Sequence, residues 1–260
     1  MKRTLAAFTL ACVLSSLAFS NADADPAQFR AGLRNSDGKH RLKAAQLTSL
    51  LDSLSHKTGW LELRFDGTGY LMLGDRTRYA GGSASARELL CAAVDGDKIF
   101  ELEVYDRSPE IAFAHLTPGT IRENDRTGAR IEIQQVQLDF ADFAELRGER
   151  EVLAAFDAGI AVLHELVHGV LHLHDAVGER NQLGACDEQI NRMRRELGLP
   201  ERTAYNPRLQ EVMSTTRTTC LQAALTFVAH TQTEAGRVNK QRFSLRWEAA
   251  QVGRVVAQKR

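Results

Sequence analysis

Two histidines four residues apart, His164 and His168, stand in an otherwise apolar helical stretch and enclose Glu165. On a helix such a pair stacks one turn apart, about 6 Å along the axis. At about 100° per residue, Asp157, Ala161, His164, Glu165, His168, His172 and Asp175 fall on one narrow stripe. Ile160, Leu163, Leu166, Val167, Val170, Leu171 and Leu173 fill the opposite side. A surface helix would carry Lys and Arg on its polar stripe, and this one carries only histidine and acid. The fold must therefore bury one side of the helix and shelter its ionisable side. Two imidazole nitrogens so placed can converge on one zinc ion about 2 Å from each, and Glu165 beside them can act as general base on a metal-bound water. The same HExxH string arises by chance in on the order of one or two chains per hundred of this composition; the stripe sets this instance apart from a helix with incidental histidines.

Catalytic zinc takes three protein ligands and leaves the fourth position to water. His172 shares the stripe but stands about 12 Å along the axis from His164, out of reach unless the helix breaks. His174 follows His164 by ten residues, an interval that serves when the chain turns sharply, but Leu171 occupies the turning position and a continuous helix points His174 to the apolar side. Glu188 lies twenty residues after His168, which lets a second helix return past the first. There Ile190, Met193 and Leu197 make an apolar stripe, Glu188, Asn191, Arg192 and Arg195 the other face, and Gly198 and Pro200 stop the helix. The spacing favours Glu188, with Asp187 and His174 as alternatives.

The motif His164-Glu165-Leu166-Val167-His168, followed by Asn191-Arg192-Met193-Arg194-Arg195-Glu196-Leu197-Gly198-Leu199-Pro200, resembles the NleD-type zinc metallopeptidases and related bacterial proteins. The resemblance covers about residues 156–205, and the downstream run carries its specificity. It implies a gluzincin-like zinc metalloendopeptidase with two His ligands, a catalytic Glu and an acidic third ligand on a following helix.

Lys2 and Arg3 precede an apolar run from Leu5 to Phe19, and Ala22-Asp23-Ala24 fits a small-x-small cleavage site. Residues 1–24 thus read as a secretory signal and residues 25–260 as a single domain, secreted or periplasmic. The apolar run is too short for a permanent membrane span, although an N-terminal anchor is the rival reading. Cys91, Cys186 and Cys220 remain, an odd number that permits at most one internal bridge. Cys186 is well placed to pin the ligand helix to the C-terminal segment through Cys220, and Cys91 reads as a small buried hydrophobe. A formal net charge of 0 argues against nucleic acid as the main partner. The cations after Gly236, among them Lys240, Arg242 and Arg246, read as a solvated terminal helix or tail rather than a binding patch.

The remaining pattern gives an α+β order. Residues 40–55 are an amphipathic helix ended by Gly59, and residues 60–65 and 70–73 form a hairpin around Asp66-Gly67-Thr68-Gly69. Residues 84–94 are a helix, 98–105 a strand, and 111–114 a weaker strand. In 130–140 the inward phase shifts from Ile131 and Ile133 to Val136, Leu138 and Phe140, which implies a bulge near Gln134-Gln135. A small mixed sheet, then the HExxH helix, then a ligand-bearing helix is a zincin-like order, in which an edge strand binds an extended peptide or protein substrate.

The expected chemistry is zinc held by His164, His168 and Glu188, with Glu165 moving the water's proton to the leaving amine. Tyr205 and His230 are candidate stabilisers of the oxyanion. Asn191 or Asp157 can orient a ligand imidazole, or serve only as a helix-surface residue and an N-cap. Two other classes compete: a zinc-binding secreted interaction protein without turnover, and an envelope-associated structural domain with incidental histidines. An intact Glu165 speaks against the first, because a degenerate enzyme has no chemical need for a base.

Overall fold

A helix that is apolar along one side needs a sheet to lie on, and the first half of the chain builds it. The computed structural model describes residues 29–177, 182–213, 219–232 and 238–253, so the signal segment lies outside the described residues. Strand β1 (Gly32–Asn35) leads to helix α1 (Ala44–Thr58), which Gly59 ends at φ 77°, with its N–H on the Ser55 carbonyl. Strands β2 (Arg64–Phe65) and β3 (Leu71–Met72) make the expected hairpin, its turn closed by Asp66 accepting from the Thr68 and Tyr70 N–H groups. Helix α2 (Ala84–Asp95) begins at Ser83, whose hydroxyl caps the Ala86 N–H.

The main sheet follows, from β4 (Lys98–Tyr105), β5 (Ala114–Leu116), β6 (Thr120–Glu123) and β7 (Arg130–Asp139). β4 is central and parallel to both β1 and β7, and β5 and β6 lie antiparallel along the far edge of β7. The molecule is thus mixed α/β with several sheets, compatible with the α+β expectation.

Two strand expectations need correction. The β4–β7 register runs unbroken from Lys98↔Glu132 to Tyr105↔Asp139, so β7 has no bulge against β4 at Gln134-Gln135. The apolar phase shifts because both faces of the sheet are covered: Ile131 and Ile133 pack with Ile99 and Phe29 on one face, Val136 and Leu138 join the main core on the other. The strand expected at 111–114 is displaced to β5. Ile111 and Phe113 are buried from an irregular turn in which Phe113 adopts φ 67° and its N–H is held by Asp142 Oδ2 at 3.0 Å.

Short helices α3 (Phe140–Ala144) and α4 (Arg150–Ala154) lead to α5 (Ala158–Leu171), the HExxH helix, and then α6 (Ala185–Glu196). α5 packs on α1, α2, β5, β7 and α6. Its approach is close at two glycines: a Cβ would strike Ser53 of α1 at Gly159, and Phe100 and Gln134 of the sheet at Gly169. A second sheet completes the chain, from β8 (Glu201–Arg202), β9 (Arg208–Met213), β10 (Thr219–Gln232) and β11 (Val238–Glu248), with β8 and β9 both paired to one side of β10. The basic stretch expected as a terminal helix or tail is β11. Lys240, Arg242 and Arg246 point outward at every second residue, while Phe243, Leu245 and Trp247 enter a second core with Phe113, Val152, Leu225 and Phe227. Arg237 and residues 254–260 lie outside the described residues.

The helices are tied across their ends by Glu196. Its carboxylate accepts from the Ser83 and Ser85 hydroxyls, each at 2.6 Å, and from the Ser85 N–H at 3.0 Å. Burial pushes this carboxyl up, but the serine hydrogen bonds outweigh it and hold its pKa at about 2, below the ordinary 4.5. A depressed folded pKa gives stability that is complete above the unfolded value and is lost as pH falls toward the folded one. Glu196→Gln should therefore cost roughly 1–3 kcal/mol at pH 7. In chemical denaturation the mutant and wild-type stabilities should converge between pH 4.5 and about 2; equal stability at pH 7 would show that the latch contributes nothing.

Candidate metal centre

Helix α5 starts where Asp157 accepts from the Ile160 N–H at 3.0 Å, with Lys57 Nζ 2.9 Å from its other oxygen. Asp157 is thus an N-cap and touches neither imidazole in this arrangement. Ile160, Leu163, Leu166 and Val167 are buried, and His164, Glu165 and His168 share the remaining stripe. The helix stops at Leu171 because His172 takes the left-handed conformation at φ 54°, ψ 30°. The stripe therefore does not continue to Asp175 along a helix; the chain doubles back and delivers Asp175 to the histidine pair from a loop.

Three donor side chains meet there. His164 Nε2 is 3.1 Å from Asp175 Oδ1, His168 Nε2 is 3.3 Å from Asp175 Oδ2, and the two Nε2 atoms are 3.2 Å apart. Ligands at zinc bond lengths of about 2.0–2.2 Å in a tetrahedral centre stand roughly 3.3–3.5 Å from one another. Asp175 Oδ1 is buried and makes no hydrogen bond despite its closeness to His164. Separations of this size fit atoms that share an ion. His168 Nδ1 is 2.6 Å from the Leu173 carbonyl, which can only accept, so Nδ1 keeps its proton and Nε2 is the nitrogen that would give up its own to a metal.

Cys186 enters the same group from α6. The four ligand atoms of His164, His168, Asp175 and Cys186 lie within 4.8 Å of one another and can hold a metal ion. Cys186 Sγ is 3.5 Å from His164 Nδ1 and 3.6 Å from Nε2, and its thiol donates to the His164 carbonyl at 3.6 Å. Near-equal distances to both ring nitrogens put the sulfur beside the ring rather than in line with the Nε2 lone pair. Burial pushes the thiol pKa well up.

The other groups are strongly perturbed. Burial pushes the Glu165 carboxyl above the ordinary glutamate range, against the pull of His164 and His168. Burial also lowers His168, but the Asp175 and Leu173 hydrogen bonds outweigh it and raise the pKa to about 9. Asp175 resists its own burial: the adjoining His164 and His168 rings and the Tyr205 hydroxyl hold it far below the carboxylate range. Tyr205 is pushed up by burial and by Asp175.

The structure treats the other expected site residues differently. Glu188 is exposed in the first turn of α6, away from the histidines, because α6 turns Cys186 and Ile190 inward. Its neighbour Asp187 is buried but faces Arg202, with Oδ1 3.4 Å from Nη1. The His174 side chain is exposed, and its backbone carbonyl accepts from the Cys186 N–H at 3.2 Å. Tyr205 does reach the site; His230 is exposed on β10 opposite Lys240. Asn191 is neither a surface residue nor a partner of the imidazoles. It is buried and clamps α6 to β8, giving Nδ2–H to the Arg202 carbonyl at 2.8 Å and taking the Arg202 N–H at 2.9 Å. Cys91, Cys186 and Cys220 are all free, so the expected Cys186–Cys220 bridge is absent. Asp175 and Cys186 are the residues that sequence reasoning missed as donors. Asp175 had been visible on the stripe, but only as a more distant helical residue.

A cavity of about 290 Å³ opens beside the group, reached by His164, Glu165 and Tyr205 and bordered by Ala112, Phe113 and Ala114 at the start of β5. Comparison of the chain with family models, with curated proteins and with solved structures gave no match.

Metal titration by calorimetry should separate the candidate donors. Asp175→Ala should weaken binding at least about tenfold, whereas Glu188→Ala and His174→Ala should leave it within about twofold. Loss in either of the latter with none in Asp175→Ala would overturn this donor set. His172→Gly should stabilise the protein by about 0.5–1 kcal/mol, because glycine takes the left-handed cap without a Cβ penalty. A continuous helix would instead be weakened by that change, so the sign of the shift in thermal midpoint decides where α5 ends.

Proposed function

We propose that the chain is a zinc-dependent metallopeptidase with a zincin-like arrangement of a mixed sheet, an HExxH helix and a following helix. The observation that carries the reading is the position of Glu165. It lies on the histidine stripe and lines the cavity, yet is not one of the donor group. A buried carboxylate beside a metal set, with no ligand role of its own, has the placement of a general base. The likeness of the HELVH motif and the Asn191–Pro200 run to the NleD-type metallopeptidases supports the same reading, as does the apparent export signal for a secreted or periplasmic enzyme.

His164, His168 and Asp175 would hold the ion, taking the role that spacing gave to Glu188. Two imidazoles and a carboxylate suit zinc and leave a position open. When bound, zinc would acidify a water and polarise the scissile carbonyl. Glu165 takes the proton of the attacking water and returns it to the departing amine. Tyr205, whose O–H goes to Asp175 in the free protein, would turn that single proton to the developing oxyanion. The free edge of β5 pairs with the substrate backbone.

The non-catalytic reading draws on one observation, Cys186, whose thiolate would close the coordination as a fourth protein ligand. The same mutant separates the two. Glu165→Gln should bind zinc as the wild type does while kcat for peptide hydrolysis falls about 10²–10⁴-fold. Unchanged kcat would remove the base assignment. A zinc-loaded wild type that cleaves nothing in a proteome-derived peptide library would leave the closed, non-catalytic centre.

A further inference from the structure

One wall of the cavity carries a buried guanidinium with no direct carboxylate partner among the described residues, lying over the Phe227 ring at 5.3 Å. Arg194 on α6 is 1% exposed and lines the cavity. Its Nε–H goes to the Ala155 carbonyl at 3.0 Å and its Nη1–H to Asn191 Oδ1 at 2.9 Å, both neutral acceptors. Among the described residues no carboxylate stands within ion-pair distance of it. The nearby acids are engaged elsewhere: Asp187 with Arg202 at 3.4 Å, Asp157 with Lys57 at 2.9 Å, and Glu201 with Arg195. Burial and the neighbouring Arg202 pull the Arg194 pKa down to about 9, which still leaves it charged at neutral pH.

Folded proteins seldom leave a buried guanidinium without an anionic partner, because the charge costs far more than a neutral apolar group. A bound anion in the cavity that Arg194 lines would supply that partner. Phe113, Phe156, Ile160 and Leu225 supply apolar walls around it. The volume lies at the small end of ligand-pocket sizes, about 300–1,000 Å³, and suits one amino-acid residue.

We propose that this cavity binds a carboxylate carried on an apolar group, with Arg194 as its counter-ion. The carrier is a substrate residue, an assignment that rests on the metallopeptidase reading. His164 and Glu165 line the same cavity, so that residue's peptide bond is carried into the space they share. A cationic residue is repelled by Arg194, and a neutral one leaves it unpaired. Two sources offer this chemistry, the free C-terminus of a peptide and an acidic side chain within one.

Calorimetry on the metal-free full chain tests the site without a contribution from zinc. The probes are N-acetyl-Gly-Phe with a free carboxylate, its C-terminal amide, and N-acetyl-Gly-Glu-amide. At least one acid should bind about tenfold or more tightly than N-acetyl-Gly-Phe-amide; which one it is identifies the C-terminal or the side-chain source. Arg194→Gln should abolish that preference and Arg194→Lys should restore part of it. If Arg194→Gln does not fold, Arg194→Lys, which keeps the charge but loses the planar fork, should still reduce the preference. Equal binding of acids and amide by the wild type overturns the proposal, as does a folded Arg194→Gln protein that keeps the preference. Acid preference in a protein that never takes up zinc leaves this site standing and removes the peptidase reading. Zinc uptake and hydrolysis with no acid preference do the reverse.

Discussion

Helix α5 carries three ionisable groups on one stripe, so it can be buried deeply only along its other sides, and that asymmetry arranges much of the molecule. The main sheet, α1 and α2 take the apolar side, with glycines at the two closest approaches. The histidine stripe is then roofed by segments that arrive separately: the 172–177 loop with Asp175, α6 with Cys186, and the chain after β8 with Tyr205. Partial shielding from water strengthens each electrostatic interaction among these groups. It also explains why their protonation equilibria are pulled so far from ordinary values. A charged carboxylate and two imidazoles gathered in such a place are stable only as a set.

The α6–β8 junction supports this roof from behind. Asn191 satisfies both the N–H and the carbonyl of Arg202, and Arg202 in turn gives its guanidinium hydrogens to Asp187 and to the Ala204 and Tyr205 carbonyls. The position of the Tyr205 hydroxyl at Asp175 therefore depends on side chains that touch no donor atom. Substitutions in this network should be strongly non-additive with substitutions at Tyr205, since they act on one mechanical unit.

Elements with local punctuation were legible in the sequence. Gly59 marked the end of α1, Asp66-Gly67-Thr68-Gly69 marked the hairpin, and the alternation from Lys98 to Tyr105 marked β4. The histidine pair and Glu165 were legible too, because α5 has a clean period. Elsewhere the pattern had two physical sources. On β7 a phase change meant apolar contacts on both faces rather than an added residue. On β11 the even-numbered polar positions Lys240, Arg242, Ser244 and Arg246, alternating with Phe243, Leu245 and Trp247, were a strand signal that counting charges concealed. The third donor was hidden for a different reason. Helix α5 ends at His172 without the glycine or proline that usually marks such a stop, so Asp175 read as one more stripe residue and the next helix supplied the candidate. The inward face of α6 then went to Cys186, a residue that composition suggested for a bridge.

The hydrogen bond from His168 Nδ1 to the Leu173 carbonyl spans the place where α5 ends. Beyond the left-handed residue, that carbonyl lies outside the helix and is available to orient a ring one turn back. Imidazole tautomer and backbone conformation are therefore a single cooperative event. Thermal fraying of the last turn would release the ring, withdraw Asp175 and disperse the donors together. An ion that binds only the assembled donors would slow amide hydrogen exchange in the 168–175 segment, far more than in the long β10–β11 ladder. The helix terminus would act as a clasp whose closure is reported by the backbone.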